Sequence, residues 1–138
     1  MSILCVDTSA WHHSTNRDVA AAWRRHLEAD ELGLCDQVRL EILWSARSLE
    51  DYEALRQELG ALRSIATDAA TFRRALEVQR LLARAGGLHH RSVKIADLLI
   101  AAAAETADAV VWHYDADFDR IAEITAQPVV WIARRGSL

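Results

Sequence analysis

Short apolar runs alternate with longer stretches of helical spacing along this chain. Residues 3–6, 32–35, 109–112 and 129–132 are nearly unbroken apolar runs, the pattern of short strands buried on both faces. Between them, apolar residues recur at three- and four-residue intervals. Val19, Ala22, Trp23 and Leu27 line one face of a helix over 18–30, and further helices are predicted over 37–46 and 49–62. Phe72, Leu76, Val78, Leu81 and Leu82 mark a long helix over 69–85, and an alanine-rich helix runs to about residue 107. Capping chemistry agrees with these boundaries. Asp7-Thr8-Ser9 can open a short helix through Trp11 and His12, Asp36 and Asp68 stand before two others, and Asp115 to Asp119 start a last one through Ile124. Residues 86–92 are expected to form a flexible loop, and Arg134-Arg135-Gly136 an exposed tail.

Strands alternating with helices predict the α/β class, with a parallel sheet covered on both faces. In such sheets, ligands gather beyond the carboxyl ends of the strands, where the strand order reverses. The 138 residues fit one domain, 1–138, large enough to bury a core without staples. With 51% hydrophobic and 26% charged residues, the chain reads as soluble and globular. No basic stretch followed by a long apolar region opens the chain, and the apolar run over 95–104 is too short to span a bilayer. A cytoplasmic protein is expected. Cys5 and Cys35 sit in apolar runs without CxxC spacing and are expected as buried free thiols. The formal net charge of −4 argues against a broad nucleic-acid-binding surface. A nucleic-acid substrate stays open, because bound metal ions reverse the local field.

Five carboxylates end or interrupt the buried runs. Asp7 closes the first strand, Glu41 lies inside Leu40-Glu41-Ile42-Leu43-Trp44, Asp97 is the one charge in a helix that is apolar all round, and Asp115 and Asp117 follow the third run. An ionised carboxylate in an apolar setting is costly unless it is paired or holds a cation. No Lys or Arg is evident as a built-in partner, so a divalent-metal site is the expectation. Each acid also has a plainer reading: Asp7, Asp115 and Asp117 as helix caps, Asp97 in a buried ion pair with an arginine from elsewhere, Glu41 on the surface. Gln37 and Ser45, one helical turn either side of Glu41, offer it no base. Asp119 suits a first-turn dipole role. Oxygen-only ligands favour Mg²⁺ or Mn²⁺ over zinc.

The blocks Asp7-Thr8-Ser9-Ala10-Trp11, Arg39-Leu40-Glu41-Ile42-Leu43, Lys94-Ile95-Ala96-Asp97-Leu98-Leu99-Ile100-Ala101-Ala102 and His113-Tyr114-Asp115-Ala116-Asp117-Phe118-Asp119-Arg120-Ile121-Ala122 resemble the PIN-domain ribonucleases. Within these they are most similar to the VapC toxins of bacterial toxin–antitoxin pairs, over nearly the whole chain. The resemblance implies a three-layer α/β/α sandwich with a short parallel sheet and Mg²⁺- or Mn²⁺-dependent endoribonuclease activity. It also implies a homodimer and inhibition by a VapB-type antitoxin, whose arginine would reach the acidic site. By motif match, the catalytic and metal-holding acids are Asp7, Glu41, Asp97, Asp115 and Asp117, with Asp7, Asp97 and Asp117 foremost as ligands. Ser9 matches a supporting hydroxyl. Ala96 departs from the pattern, since many members carry proline there.

Around these acids, Arg73, Arg74, Arg80, Arg84, Arg91 and Lys94 are candidates to guide an RNA backbone, against the alternative of a solvated helix face. Trp11 could stack on a base, whereas Trp23, Trp44, Trp112 and Trp131 suit the core or an interface better. The histidine pairs at 12–13 and 89–90 are expected to be incidental. Residues 28–62 could form the groove for an antitoxin helix. Two rival classes stay open: a catalytically silent binding module on the same fold, and another metal-dependent phosphohydrolase, such as a haloacid-dehalogenase-like phosphatase. The latter needs Asp-x-Asp directly after the first strand, where this chain has Asp7-Thr8-Ser9.

Overall fold

The computed structural model describes residues 2–138. Five strands, β1 (Leu4–Val6), β2 (Leu32–Cys35), β3 (Arg63–Ile65), β4 (Val110–His113) and β5 (Val129–Trp131), form one sheet in the order β3-β2-β1-β4-β5. Every pairing is parallel: Val6 stands opposite Trp112, Cys5 opposite Gly33 and Val111 opposite Val129. All four residues of β2 are buried, so the sheet is covered on both faces, as unbroken apolar strands require. Gly33 allows this closeness, because an added Cβ would lie 2.9 Å from Ile65 Cδ1.

Eight helices surround the sheet among the described residues: α1 (Thr8–His12), α2 (Ala20–Glu28), α3 (Asp36–Trp44), α4 (Leu49–Leu59), α5 (Ala69–Arg84), α6 (His89–Ser92), α7 (Ile95–Thr106) and α8 (Asp117–Thr125). The core joins Val6, Leu34, Val38, Ile42, Ile100, Val111 and Phe118. A run of aromatic contacts fixes α1 and α2 to β4. Trp11 meets Trp23 edge to face at 5.8 Å, and Trp23 stacks on Trp112 at 5.8 Å with 12° between planes.

Strand β3 was not expected, because Arg63 and Ser64 are exposed and only Ile65 is buried, which leaves no apolar run to read. Residues 86–92 are less loose than their composition suggests: after Gly86 and Gly87, both at positive φ, His89–Ser92 closes one helical turn. Asp36 is the first residue of α3, not its cap, since Cys35 holds the extended cap conformation and β2 runs straight into the helix. Asp68 caps α5 as expected, in a reciprocal box with Thr71.

The sheet order changes direction at β1. The chain steps from β1 to β2 on one side, and only later reaches β4 on the other. The carboxyl ends of β1 and β4 therefore flank the crevice where such sheets bind ligands.

Candidate functional site

Four acids converge at that crevice. Asp7 leaves β1, Asp115 and Asp117 follow β4, and Asp97 enters from the first turn of α7. Asp7 is 3% exposed and Asp97 4%, and Asp117 is also buried. One oxygen from each of Asp97, Asp115 and Asp117 lies within 4.8 Å of the other two. Asp7 sits close enough for its charge to act on Asp97.

Local hydrogen bonds aim these side chains. Asp7 Oδ2 accepts the Ser9 backbone N–H at 3.0 Å and the Ser9 hydroxyl, so the cap of α1 also holds the first acid in place. Ser9 Oγ in turn accepts the Tyr114 N–H at 2.8 Å, tying the end of β1 to the loop after β4. Asp115 Oδ1 accepts the Asp117 N–H at 2.9 Å, leaving Oδ2 turned to the crevice. Behind this loop, buried His113 accepts the Asp115 N–H at Nδ1, 3.1 Å away, which puts its own proton on Nε2. Burial holds the His113 pKa below its ordinary value, so the ring is neutral and acts as a fixed acceptor.

The electrostatics are those of crowded acids. Burial pushes the Asp97 pKa up to about 8, reinforced by hydrogen bonding to Asp117 and by the charge of Asp7. Asp7 is also raised, by burial first, with Glu41 adding repulsion. Burial works against ionising Asp117 as well. Its hydrogen bonds with Asp97 and Lys94 outweigh that and pull its pKa down. Asp97 Oδ2 is buried and has no hydrogen-bond partner. A buried acid oxygen that accepts no hydrogen bond and faces two more acids fits a hard dication that takes carboxylate ligands.

One expectation is corrected here: the acids do have a basic neighbour. Lys94 Nζ lies 2.8 Å from Asp115 Oδ2, 3.1 Å from Asp117 Oδ2 and 3.4 Å from Asp97 Oδ2. The sequence held the signal, because Lys94 precedes Asp97 by three residues, one helical turn. Lys94, expected as a guide for the RNA backbone, is instead seated among the acids. Arg74 is corrected too, since Glu105 and Glu77 hold its guanidinium. No arginine pairs with Asp7, Asp97, Asp115 or Asp117 among the described residues.

Glu41 stands apart from the tight group. It accepts from Gln37 Nε2 at 3.2 Å and lines a cleft of about 450 Å³ with Thr8, His12, Leu40, Trp44 and Ser45. Its link to the other acids runs through Asp7. Trp44, expected in the core or an interface, is 88% exposed on the rim of this cleft, whereas Trp11 is packed against Trp23. Asp119 accepts from Trp131 Nε1 at 3.0 Å, and is thus a structural acid away from the crevice.

This chain is similar to known proteins in sequence and fold. Residues 4–124 match the family model for the PIN domain. The chain is 59% identical to Ribonuclease VapC18 of Mycobacterium tuberculosis, over 99% of both chains. It is 41% identical to Ribonuclease VapC51 of the same organism, covering 96% of this chain and 95% of the relative. In three dimensions it resembles the crystal structure of DNA-bound VapBC from Salmonella typhimurium, with a TM-score of 0.78, at 18% identity, over 96% of this chain and 100% of the other. A five-stranded parallel sheet, acids gathered at its switch point and full-length likeness to these ribonucleases leave one conclusion: the chain belongs to the PIN domain family.

Proposed function

We propose that this protein is an endoribonuclease toxin, a single PIN domain over 1–138 that hydrolyses RNA phosphodiester bonds and is held in check by a VapB-type antitoxin. The observation that carries this reading is the buried Asp97 Oδ2 at the switch point of the sheet, which accepts no hydrogen bond and shares a single ammonium with the converging oxygens of Asp115 and Asp117. The full-length identity to Ribonuclease VapC18 supports the substrate class. Asp97, Asp115 and Asp117 would hold Mg²⁺ or Mn²⁺, with Asp7 against them. When bound, a hard dication supplies an acidified water and a counter-charge for the phosphodiester.

The chain's own groups do the rest. Ser9 keeps Asp7 turned into the crevice, and the His113 and Asp117 contacts keep Asp115 Oδ2 there. Glu41, whose charge acts on Asp7, lines the neighbouring cleft, where it can take a proton from an attacking water. The products expected carry a 5′-phosphate and a 3′-hydroxyl. Incubating the protein with RNA in Mg²⁺ or EDTA and mapping the new ends tests this reading. Cleavage in Mg²⁺ alone that Asp7→Asn or Asp97→Asn abolishes supports it. Binding of RNA with no cleavage would favour the silent binding module.

Two apolar surfaces suit the partners. Leu40, Trp44, Leu49 and Tyr52 are exposed along α3 and α4, where the antitoxin helix would lie beside the Glu41 cleft. Phe72, Leu76 and Ile95 are exposed on α5 and α7 and would face a second copy of the chain in a homodimer. The molecular mass in solution, with and without the antitoxin, checks both assignments.

A further inference from the structure

Lys94 is the one lysine of the chain, against fifteen arginines. As the N-cap of α7 it has extended backbone, φ −64° and ψ 142°. Its N–H donates to Asp117 Oδ2 at 3.0 Å, so its backbone is already fastened to the acid site. From there the side chain reaches over the acids, and its ammonium bridges Asp115, Asp117 and Asp97. These are the same three carboxylates whose oxygens lie within 4.8 Å of one another.

An ammonium is a compact cation with three donors, a fair imitation of a hard ion toward three oxygens. It also holds the atoms such an ion needs. Asp115 Oδ1 is committed to the Asp117 N–H, so Oδ2 is its free ligand atom, and Lys94 takes it. Asp117 Oδ2 accepts both the backbone N–H and the ammonium of Lys94. Asp117 Oδ2 already accepts two donors, and a dication at about 2.0–2.1 Å from these oxygens would press against the like-charged ammonium, so the two cations compete for one place. Leaving is easy for Lys94: its side chain is 62% exposed, its stem flexible and its ion pairs partly screened.

Resting on the divalent-metal reading above, we infer that Lys94 is the resident counter-ion of the acid site, and that a divalent ion binds by exchanging with its ammonium. The site is thus assembled before the ion arrives, since one cation already offsets the repulsion among its acids. The lysine also lowers metal affinity, because its contacts must break first. Once displaced, the ammonium remains at the rim, tethered through the backbone of α7.

The lone lysine makes the exchange visible. In protein labelled with ¹³C,¹⁵N-lysine, one Cε–Nζ signal reports Lys94. Starting from the EDTA-treated protein, Mg²⁺ should move that signal to the position of a free, solvated lysine, with the midpoint of ion binding measured by calorimetry. Lys94→Met should bind Mn²⁺ about tenfold or more tightly than the parent, because a like charge has left the site. Its melting temperature should fall in EDTA and recover in Mn²⁺, whereas Lys94→Arg should keep an affinity near the parent's. A lysine signal unmoved at saturating Mg²⁺, or a Lys94→Met affinity equal to or weaker than the parent's, overturns the exchange and leaves the metal site standing. Absence of metal binding in folded parent and Lys94→Met alike overturns both. The labelled parent protein needs no variant to fold, so the spectrum decides even where Lys94→Met does not.

Discussion

Helix α7 carries one carboxylate near each end, and the two are treated in opposite ways. Glu105, in the last turn, receives Arg74 of α5 as a fork, with Nε to Oε1 at 2.6 Å and Nη2 to Oε2 at 3.2 Å. That charge is answered in full, at the helix end where the dipole disfavours it. Asp97, in the first turn, has the dipole in its favour, yet burial and neighbouring acids still lift its pKa to about 8. One ammonium serves it together with Asp115 and Asp117. Where a carboxylate only joins two helices, the fold supplies a matched partner. Where the acids are left short of positive charge, the shortage is the mark of a site for a cation.

Exchanging the two acids for their amides separates these roles most sharply. Asp97→Asn should lower RNA cleavage by about a thousandfold or more while the fold persists, read by initial rates and circular dichroism. Glu105→Gln should leave cleavage near the parent's and cost about 1–2 kcal/mol of stability, a drop of a few degrees in melting temperature. Equal losses of activity in the two variants would erase the distinction.

The pH dependence divides the ends next. The folded Asp97 pKa, about 8, lies above its ordinary value of 3.8, so the folded state holds this proton more tightly than the unfolded one. Its contribution to stability is complete below about pH 4 and is lost as pH rises through 8. In EDTA the parent should therefore melt at falling temperature across that window, and Asp97→Asn should lack this part of the decline. Metal binding has the opposite sign, because the proton must leave first: Mn²⁺ affinity should climb toward pH 8, by up to about tenfold per unit. A flat affinity between pH 6 and 8 would speak against Asp97 as a ligand.

A smaller effect is expected at Ser9, which touches no reacting group but holds Asp7 and the Tyr114 N–H together. Ser9→Ala should cost about 1 kcal/mol and slow cleavage roughly tenfold, with Ser9→Thr recovering most of it. Full activity in Ser9→Ala would show that the cap alone positions Asp7.

The same comparison explains what could be read from the chain. Strands β1, β2, β4 and β5 were legible because each is a short apolar run, Asp7 because it follows one directly and Asp115 because it lies two residues past another. Asp97 was legible as a single charge on an apolar helix. Strand β3 was not, since an edge strand with two exposed polar residues has no hydrophobic signature. The Lys94 bridge was half legible: its turn-spaced contact with Asp97 lies in the sequence, but Asp115 and Asp117 are 21 and 23 residues away. The Arg74–Glu105 pair spans 31 residues, and no local rule selects one arginine of α5 over the next. Glu41 matches its motif, but the fold sets it beside Asp7 and outside the group of three.

The most direct measurement is anomalous diffraction from crystals grown with Mn²⁺ at pH 8. A manganese peak ligated by Asp97 and Asp117, with Asp7 or Asp115 beside them and the Lys94 ammonium displaced, is the predicted result. Saturating Mn²⁺ that leaves those oxygens bare, or binds only at other acids, would contradict the account.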